Sequence, residues 1–129
     1  MMVGASEFGF LAVGEGKGLI PVLMLHTTGE TSESWMHFLS RWGRRGGVAY
    51  ALDLRGHGRS VWSGPYGLET FAEDVLGFMD AMDLGVVDVV GHSIGGLVGC
   101  LVAARAPERV RKLVLEDVGI PYPREPVVR

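Results

Sequence analysis

One pentapeptide, Gly91-His92-Ser93-Ile94-Gly95, combines residue types and a spacing that suit nucleophilic catalysis, since it fits the pattern G-x-S-x-G. A serine in a sharp turn between a strand and a helix has its Oγ pushed out above the sheet, where it can attack an acyl carbon. A side chain at either flanking glycine would collide with the neighbouring backbone. The helix that follows directs its first N–H groups at the oxygen that becomes negative during acyl transfer. The pattern therefore predicts Ser93 as a nucleophile.

The elements on either side of Ser93 decide whether the pentapeptide has this meaning, because such a short pattern also occurs by chance. Val86 to Val90 form a β-branched run broken only by Asp88, which predicts a strand buried on both faces of a parallel sheet. A helical pattern begins at Ile94 and stops at Pro107, with one side formed by Leu97, Leu101 and Ala104. Strand, turn and helix thus follow one another in the order that a nucleophile turn requires.

The rest of the chain alternates between predicted strands and helices. Further strands are predicted at Phe8 to Val13, as part of an N-terminal hairpin, and at Ile20 to Leu25, Val48 to Leu54 and Val110 to Val118. Regular structure is expected to end at Gly119 to Pro123. The alternation predicts an α/β fold with a doubly wound, mostly parallel sheet and helices on both faces. No linker divides residues 1–129, so we expect a single domain.

Two further helices are predicted between these strands. The first is capped by Thr31 or Ser32 and carries an aromatic stripe that we expect to pack on the sheet, formed by Trp35, Phe38, Leu39 and Trp42. The second spans Leu68 to Asp83 and has one apolar face. Its acidic residues are interpreted as a solvated surface: Glu69, Glu73, Asp74 and Asp80.

Composition limits the possible function classes. The 129 residues carry a formal net charge of −3, so neither nucleic acid nor an anionic membrane is expected as a partner. The N-terminus has no basic residue before Lys17 and no long apolar core, so we predict no signal peptide or membrane span and a cytoplasmic location. The single cysteine, Cys100, is expected to be a small core residue. The four histidines share no metal-binding spacing, so no metal or other cofactor is expected.

Two loops follow predicted strands at the edge of the sheet where α/β proteins bind ligands. The first is His26-Thr27-Thr28-Gly29-Glu30, and the second, Asp53 to Ser60, is rich in glycine and charge. His57 lies in the second loop and has the chemistry of a general base. We interpret it as a residue that orders the loop, since nothing in the sequence brings it within reach of Ser93.

Together these segments resemble the α/β-hydrolase superfamily, in its esterase- and lipase-like branch with a serine nucleophile. The resemblance covers Pro21 to Asp117 and is carried by four motifs: the His-Gly-like segment at His26 to Gly29, the D-x-R-G-x-G-x-S loop at Asp53 to Ser60, the turn around Ser93 and the strand from Leu113. It implies that Ser93 is the nucleophile and that the backbone N–H groups of Thr28 and Ile94 form the oxyanion hole. Supporting roles are implied for His26, His92, Gly91 and Gly95.

A serine at position 93 reduces the enzyme classes that the resemblance allows, because dehalogenases and epoxide hydrolases of this superfamily carry aspartate at the nucleophile position. Esterases, lipases, thioesterases, iminopeptidase-like peptidases, C–C hydrolases and perhydrolases remain, and a small acyl compound is the expected substrate. Thr27 departs from the superfamily pattern, which has glycine at this position, so we expect its Cβ to strain or shift the oxyanion loop.

The acid and the histidine of the superfamily triad follow the nucleophile in the chain, and no residue here fits either. The resemblance therefore implies the amino-terminal half of a hydrolase, inactive by itself. The alternative is a non-catalytic remnant that serves binding or dimerisation, with self-association through the sheet edge at Val110 to Val118. A nucleotide-binding module is disfavoured because the glycines match neither G-x-G-x-x-G nor a P-loop.

Overall fold

The computed structural model describes residues 1–16 and 18–119, so the irregular segment predicted from Ile120 onward lies outside the described residues. A short hairpin of β1 (Met2–Val3) and β2 (Ser6–Glu7) precedes the main sheet. That sheet is built from β3 (Phe10–Val13), β4 (Val22–Leu25), β5 (Ala49–Leu52), β6 (Val87–His92) and β7 (Val110–Glu116). Its order is β3-β5-β4-β6-β7, with β3 antiparallel to β5 and the other neighbours parallel.

Helices cover both faces of this sheet. On one face, α1 (Met36–Arg44) follows a 3-10 turn at Ser32–Trp35, in which the Thr31 side chain accepts the N–H of Glu33. On the other face lie α2 (Leu68–Ala81) and α3 (Ile94–Arg105). The predicted α/β class with a mostly parallel, doubly wound sheet is therefore confirmed.

The central strand β4 shows how the two layers share the core. Its successive side chains point to opposite faces, as they must in a strand. Leu23 and Leu25 join the cluster beneath α2 and α3, whereas Val22 and Met24 join the cluster beneath α1. The strand contains no polar residue because both of its faces are buried.

The ends of several elements differ from the sequence predictions. The strand predicted from Phe8 begins at Phe10 and pairs with β5 rather than forming a hairpin with its neighbour in sequence. The second long helix ends at Ala81 instead of Asp83, because Asp83 adopts a left-handed conformation with φ 56°. β7 ends at Glu116, since Asp117 has φ 50° and breaks the extended backbone.

Three predictions about side-chain environment are wrong. Asp74 does not lie on a solvated acidic face: it is buried and bound to Arg55. Phe38, predicted to pack on the sheet, is 37% exposed and stacks on Trp42. Cys100 is only half-buried, because the face of α3 that packs inward consists mainly of Gly95, Val98, Gly99 and Val102.

Candidate active site

Ser93 occupies the turn between β6 and α3, at the carboxyl edge of the parallel strands. Its backbone has φ 51° and ψ −113°, a conformation that L-residues rarely adopt. The Ser93 N–H donates to the carbonyl of Glu116 at 2.9 Å, and its own carbonyl accepts the N–H groups of Gly96 and Leu97 at 2.9 and 3.1 Å. These bonds hold the turn, while the Ser93 side chain is only half-buried.

The two flanking glycines lie where any side chain would meet backbone. A Cβ on Gly91 would be 2.5 Å from the Cα of Gly96, inside the first turn of α3. A Cβ on Gly95 would be 2.2 Å from the carbonyl oxygen of Leu25, at the end of β4. The start of α3 therefore packs directly against the strand end from which the His26 loop departs.

Two backbone N–H groups at this edge make no hydrogen bond with the described part of the chain. One belongs to Ile94, the first residue of α3, where helix geometry leaves amide groups unsatisfied. The other belongs to Thr28, an exposed residue in the loop after β4. A helix N-terminus and a free loop amide are the kinds of donor that stabilise a developing oxyanion.

The loop that carries Thr28 is a tight turn. The Glu30 N–H donates to the carbonyl of Thr27 at 3.2 Å, and Gly29 has φ 81°, as the third position of a type II turn requires. Among the described residues, the non-glycine residues with positive φ are Asp83, Ser93 and Asp117, so Thr27 has none of the left-handed strain expected from its replacing glycine.

The rings of two histidines contact this loop. The buried His26 accepts the N–H of Leu54 at Nε2, 2.9 Å away, and its Nδ1 lies 2.8 Å from the carbonyl of Thr27. His57 accepts the N–H of Gly29 at Nε2, 3.3 Å away, and its Nδ1 lies 2.9 Å from the carbonyl of Arg55. The two rings are 4.9 Å apart between centroids. Burial lowers the pKa of His26, against the opposing effect of its hydrogen bond to Thr27.

His92 is the last residue of β6 and directly precedes Ser93. Its Nδ1 is 3.8 Å from a carboxylate oxygen of Glu116, which is its register partner in β7. Both residues line a small cavity together with Glu30, Ser34 and Trp35. The fourth histidine, His37, is an exposed residue of α1. No group of three potential metal ligands occurs within residues 1–16 and 18–119.

The loop after β5 is held by hydrogen bonds to its own polar side chains. Residues of the D-x-R-G-x-G-x-S pattern make these bonds, so the pattern has a structural role. The buried carboxylate of Asp53 accepts the N–H groups of Ser32 at 2.7 Å and of Arg59 at 3.2 Å. Gly58 has φ 52°, and a Cβ there would be 2.6 Å from that carboxylate. The Ser60 Oγ donates to the carbonyl of Asp53 and accepts the N–H of Gly9.

One important contact in this region is not predicted from the sequence. Arg55 binds Asp74 of α2 through two hydrogen bonds, of 2.7 and 2.8 Å. A signal for it exists, because Asp74 follows Phe71 by three residues and precedes Phe78 by four, which puts it on the apolar face of the helix. A lone carboxylate on such a face predicts a buried partner.

Comparison with known proteins assigns this architecture. A family model described as alpha/beta hydrolase fold matches residues 20–127. The chain belongs to the α/β-hydrolase fold family. The expected resemblance is therefore confirmed at the level of family and fold. As a separate finding, none of the helices in the described ranges is long and apolar enough to cross a membrane.

Several α/β-hydrolases resemble the chain closely. The 2-hydroxy-6-oxo-2,4-heptadienoate hydrolase of Pseudomonas putida is 33% identical, over 95% of this chain and 45% of the relative. Lipase LipV of Mycobacterium tuberculosis is 41% identical, over 54% of this chain and 27% of the relative. The crystal structure of a bacterial membrane phospholipase A superposes with a TM-score of 0.89 and 30% identity, over 98% of this chain and 41% of that one. The chain thus spans less than half the length of these relatives.

Proposed function

We propose that this chain supplies the nucleophile and the oxyanion-binding groups of a hydrolase that acts by acyl transfer on a carboxylic ester or a similar small acyl compound. The observation that carries the proposal is the backbone of Ser93, whose φ of 51° occurs in the turn between β6 and α3. A strained serine at this place has its hydroxyl directed above the sheet and next to the first amide groups of the helix. Membership of a hydrolase family supports the reaction class.

In the proposed reaction, the Ser93 Oγ attacks the acyl carbon and loses its proton, while the carbonyl π electrons move onto oxygen. The N–H groups of Ile94 and Thr28 donate hydrogen bonds to that oxyanion. When the carbonyl re-forms, the bond to the leaving oxygen breaks, and that oxygen takes up the proton given by Ser93 and departs as the alcohol. This leaves an acyl-serine, which water then hydrolyses. Preorganised donors of this kind contribute about 10²-fold or more each to the rate.

The proton from Ser93 needs an acceptor, and the four histidines are poorly suited to this role. Both ring nitrogens of His26 and of His57 already have backbone partners. His37 lies on α1, and the His92 ring faces Glu116. We therefore propose that the base comes from a further polypeptide segment, and that the 129-residue chain by itself hydrolyses esters very slowly.

A fluorophosphonate probe tests the nucleophile directly, since it phosphonylates activated serines. We expect slow labelling of the wild-type chain, with the adduct mapped to Ser93 by mass spectrometry and absent from Ser93→Ala. Ser40→Ala is the matched control, because Ser40 is an exposed serine of α1. The proposal fails if the probe leaves the wild-type chain unlabelled, or if Ser93→Ala retains the adduct.

One observation also favours the second possibility, self-association. Among the described residues β7 is an edge strand, and two of its apolar side chains, Val114 and Leu115, are 54% and 44% exposed. We propose that a second copy of the chain pairs with this edge in antiparallel orientation, about a two-fold axis at Val114. That register sets Lys112 opposite Glu116 and Leu113 opposite Leu115, so that charges and apolar groups both match.

A further inference from the structure

The candidate donor Thr28 lies in a turn in which separate hydrogen bonds orient successive peptide planes. The carbonyl of Thr27 accepts a hydrogen bond from Glu30 N–H and lies 2.8 Å from the Nδ1 of His26. In a trans peptide the C=O and the following N–H point in opposite directions. The N–H of Thr28 is therefore directed away from both groups and makes no hydrogen bond with the described residues.

The next peptide, between Thr28 and Gly29, is the central one of the turn. Its orientation distinguishes a type II turn from a type I turn, and φ of 81° at Gly29 corresponds to type II. The only group of the described chain that bonds the Gly29 N–H is the Nε2 of His57, 3.3 Å away. His57 thus contacts the turn at the amide whose direction decides its type.

The hydrogen-bond partners also define the state of the His57 ring. Because Nε2 accepts an amide proton, it is unprotonated, and the ring proton is on Nδ1, which donates to the carbonyl of Arg55. A neutral ring in this tautomer joins the loop after β4 to the loop after β5. The loop after β5 is anchored in turn by the two Arg55–Asp74 hydrogen bonds.

We infer that His57 is a positioning residue for the oxyanion hole: by accepting the Gly29 N–H, it holds the turn that presents the Thr28 N–H. The inference rests on the proposed role of Thr28 as an oxyanion donor. Without an acceptor at this place the Thr28–Gly29 peptide can rotate. Within the described residues the turn is then held only through the Thr27 carbonyl, and the loop that carries the Thr28 N–H becomes more mobile. His57 itself touches no reacting atom.

The test uses the 129-residue chain with His57→Leu, which removes the acceptor, and His57→Gln, whose carboxamide oxygen can still accept a hydrogen bond. His37→Leu is the matched control, since His37 is an exposed histidine of α1. Three quantities are measured: the imidazole nitrogen NMR shifts of His57, the hydrogen exchange rate of the Gly29 amide, and the rate of Ser93 phosphonylation at saturating fluorophosphonate.

We expect the wild-type nitrogen spectrum to show His57 neutral with its proton on Nδ1. In His57→Leu, Gly29 exchange should rise by about tenfold, in line with the loss of one hydrogen bond. Saturating phosphonylation should fall by about tenfold, less than for complete removal of a donor. His57→Gln should recover part of both, and His37→Leu should change neither.

The inference is overturned if Gly29 exchange is the same in His57→Leu and wild type, or if it rises while phosphonylation at saturation stays constant. A ring proton on Nε2 also overturns it. If wild-type Ser93 is not phosphonylated at all, the proposed function fails separately, and Gly29 exchange together with the tautomer still decides whether His57 holds the turn.

Discussion

The guanidinium of Arg55 and the carboxylate of Asp74 form a bidentate pair, with N···O distances of 2.7 and 2.8 Å. The side chains are only 12% and 8% exposed, and Arg55 also donates to the carbonyl of Ser63. The Asp74 hydrogen bonds raise the pKa of Arg55. This pair ties the loop after β5 to α2, and hence the His57 side of the candidate site to the helical layer.

Breaking this pair should be costly. Asp74→Ala leaves the half-buried guanidinium of Arg55 without its partner, so we expect the free energy of unfolding to fall by about 2 kcal/mol, measured by urea denaturation. Arg111→Met is the matched control, because Arg111 forms the same kind of pair with Asp88 at an exposed position and should lose much less. Equal losses in the two variants would contradict the structural role given to Asp74.

The close approach of α3 to β4 gives a second prediction. Gly95→Ala places a Cβ against the backbone of Leu25 and should destabilise the chain by about 2 kcal/mol or more. Gly85→Ala serves as control, because within the described residues no atom other than those of its chain neighbours lies within 4 Å of the added Cβ. Its unfolding free energy should stay the same or rise slightly. A neutral Gly95→Ala would mean that α3 does not rest on the end of β4.

Stability should depend on pH through His26. Burial lowers its pKa in the folded chain, so the unfolded chain binds the proton more readily. The stability that His26 contributes is therefore complete above its unfolded pKa of about 6.5 and is lost as pH falls from there towards the lowered folded value. We expect the unfolding free energy to decrease between about pH 7 and pH 5, by at most about 1.4 kcal/mol per pH unit for this one proton.

Urea titrations of two variants isolate the His26 contribution. His26→Gln should flatten the pH dependence relative to wild type, whereas His37→Gln, which changes an exposed histidine of α1, should retain it. An unaltered slope in His26→Gln would assign the pH dependence to other groups.

Self-association through β7 should be visible in sedimentation experiments. We expect the chain to form dimers at rising concentration and Val114→Lys to remain monomeric, because the substitution sets like charges against each other at the proposed two-fold axis. Val86→Lys is the control: Val86 is 41% exposed but lies outside β7, so its variant should still dimerise. Monomeric wild-type protein at high concentration would exclude the proposed interface.

The sequence predicts the turn at Ser93 well because its constraints are local. Gly91, Ser93 and Gly95 are close in sequence, and the backbone that a Cβ on Gly91 would meet belongs to the same strand–turn–helix unit. A Cβ on Gly95 would instead meet the end of β4, which the sequence alone does not place there. The buried run of β4 is equally clear, since a strand covered on both faces must be apolar along its whole length. β6 differs from the prediction of two buried faces: its residues alternate between buried and half-buried, and the exposed Val86 lies outside the strand.

Features that depend on distant segments are harder to predict. The burial of Asp74 follows from Arg55, which the sequence alone does not bring near. The inner face of α3 is hard to predict because glycine, with no side chain, carries no hydrophobic signal even where it makes the closest contact. The pairing of β3 with β5 depends on sheet order, which periodicity does not encode.

The candidate site is assembled from segments that are far apart along the chain. The unit of β6, Ser93 and α3 is contiguous, so local contacts can build it early in folding. The loop that carries Thr28 joins it only when β4 pairs with β6, through distant register partners such as Leu23 and Val89. Long-range parallel pairing of this kind is slow compared with local structure formation. We therefore expect a folding chain to form the turn at Ser93 before the loop that carries Thr28 takes its place beside that turn.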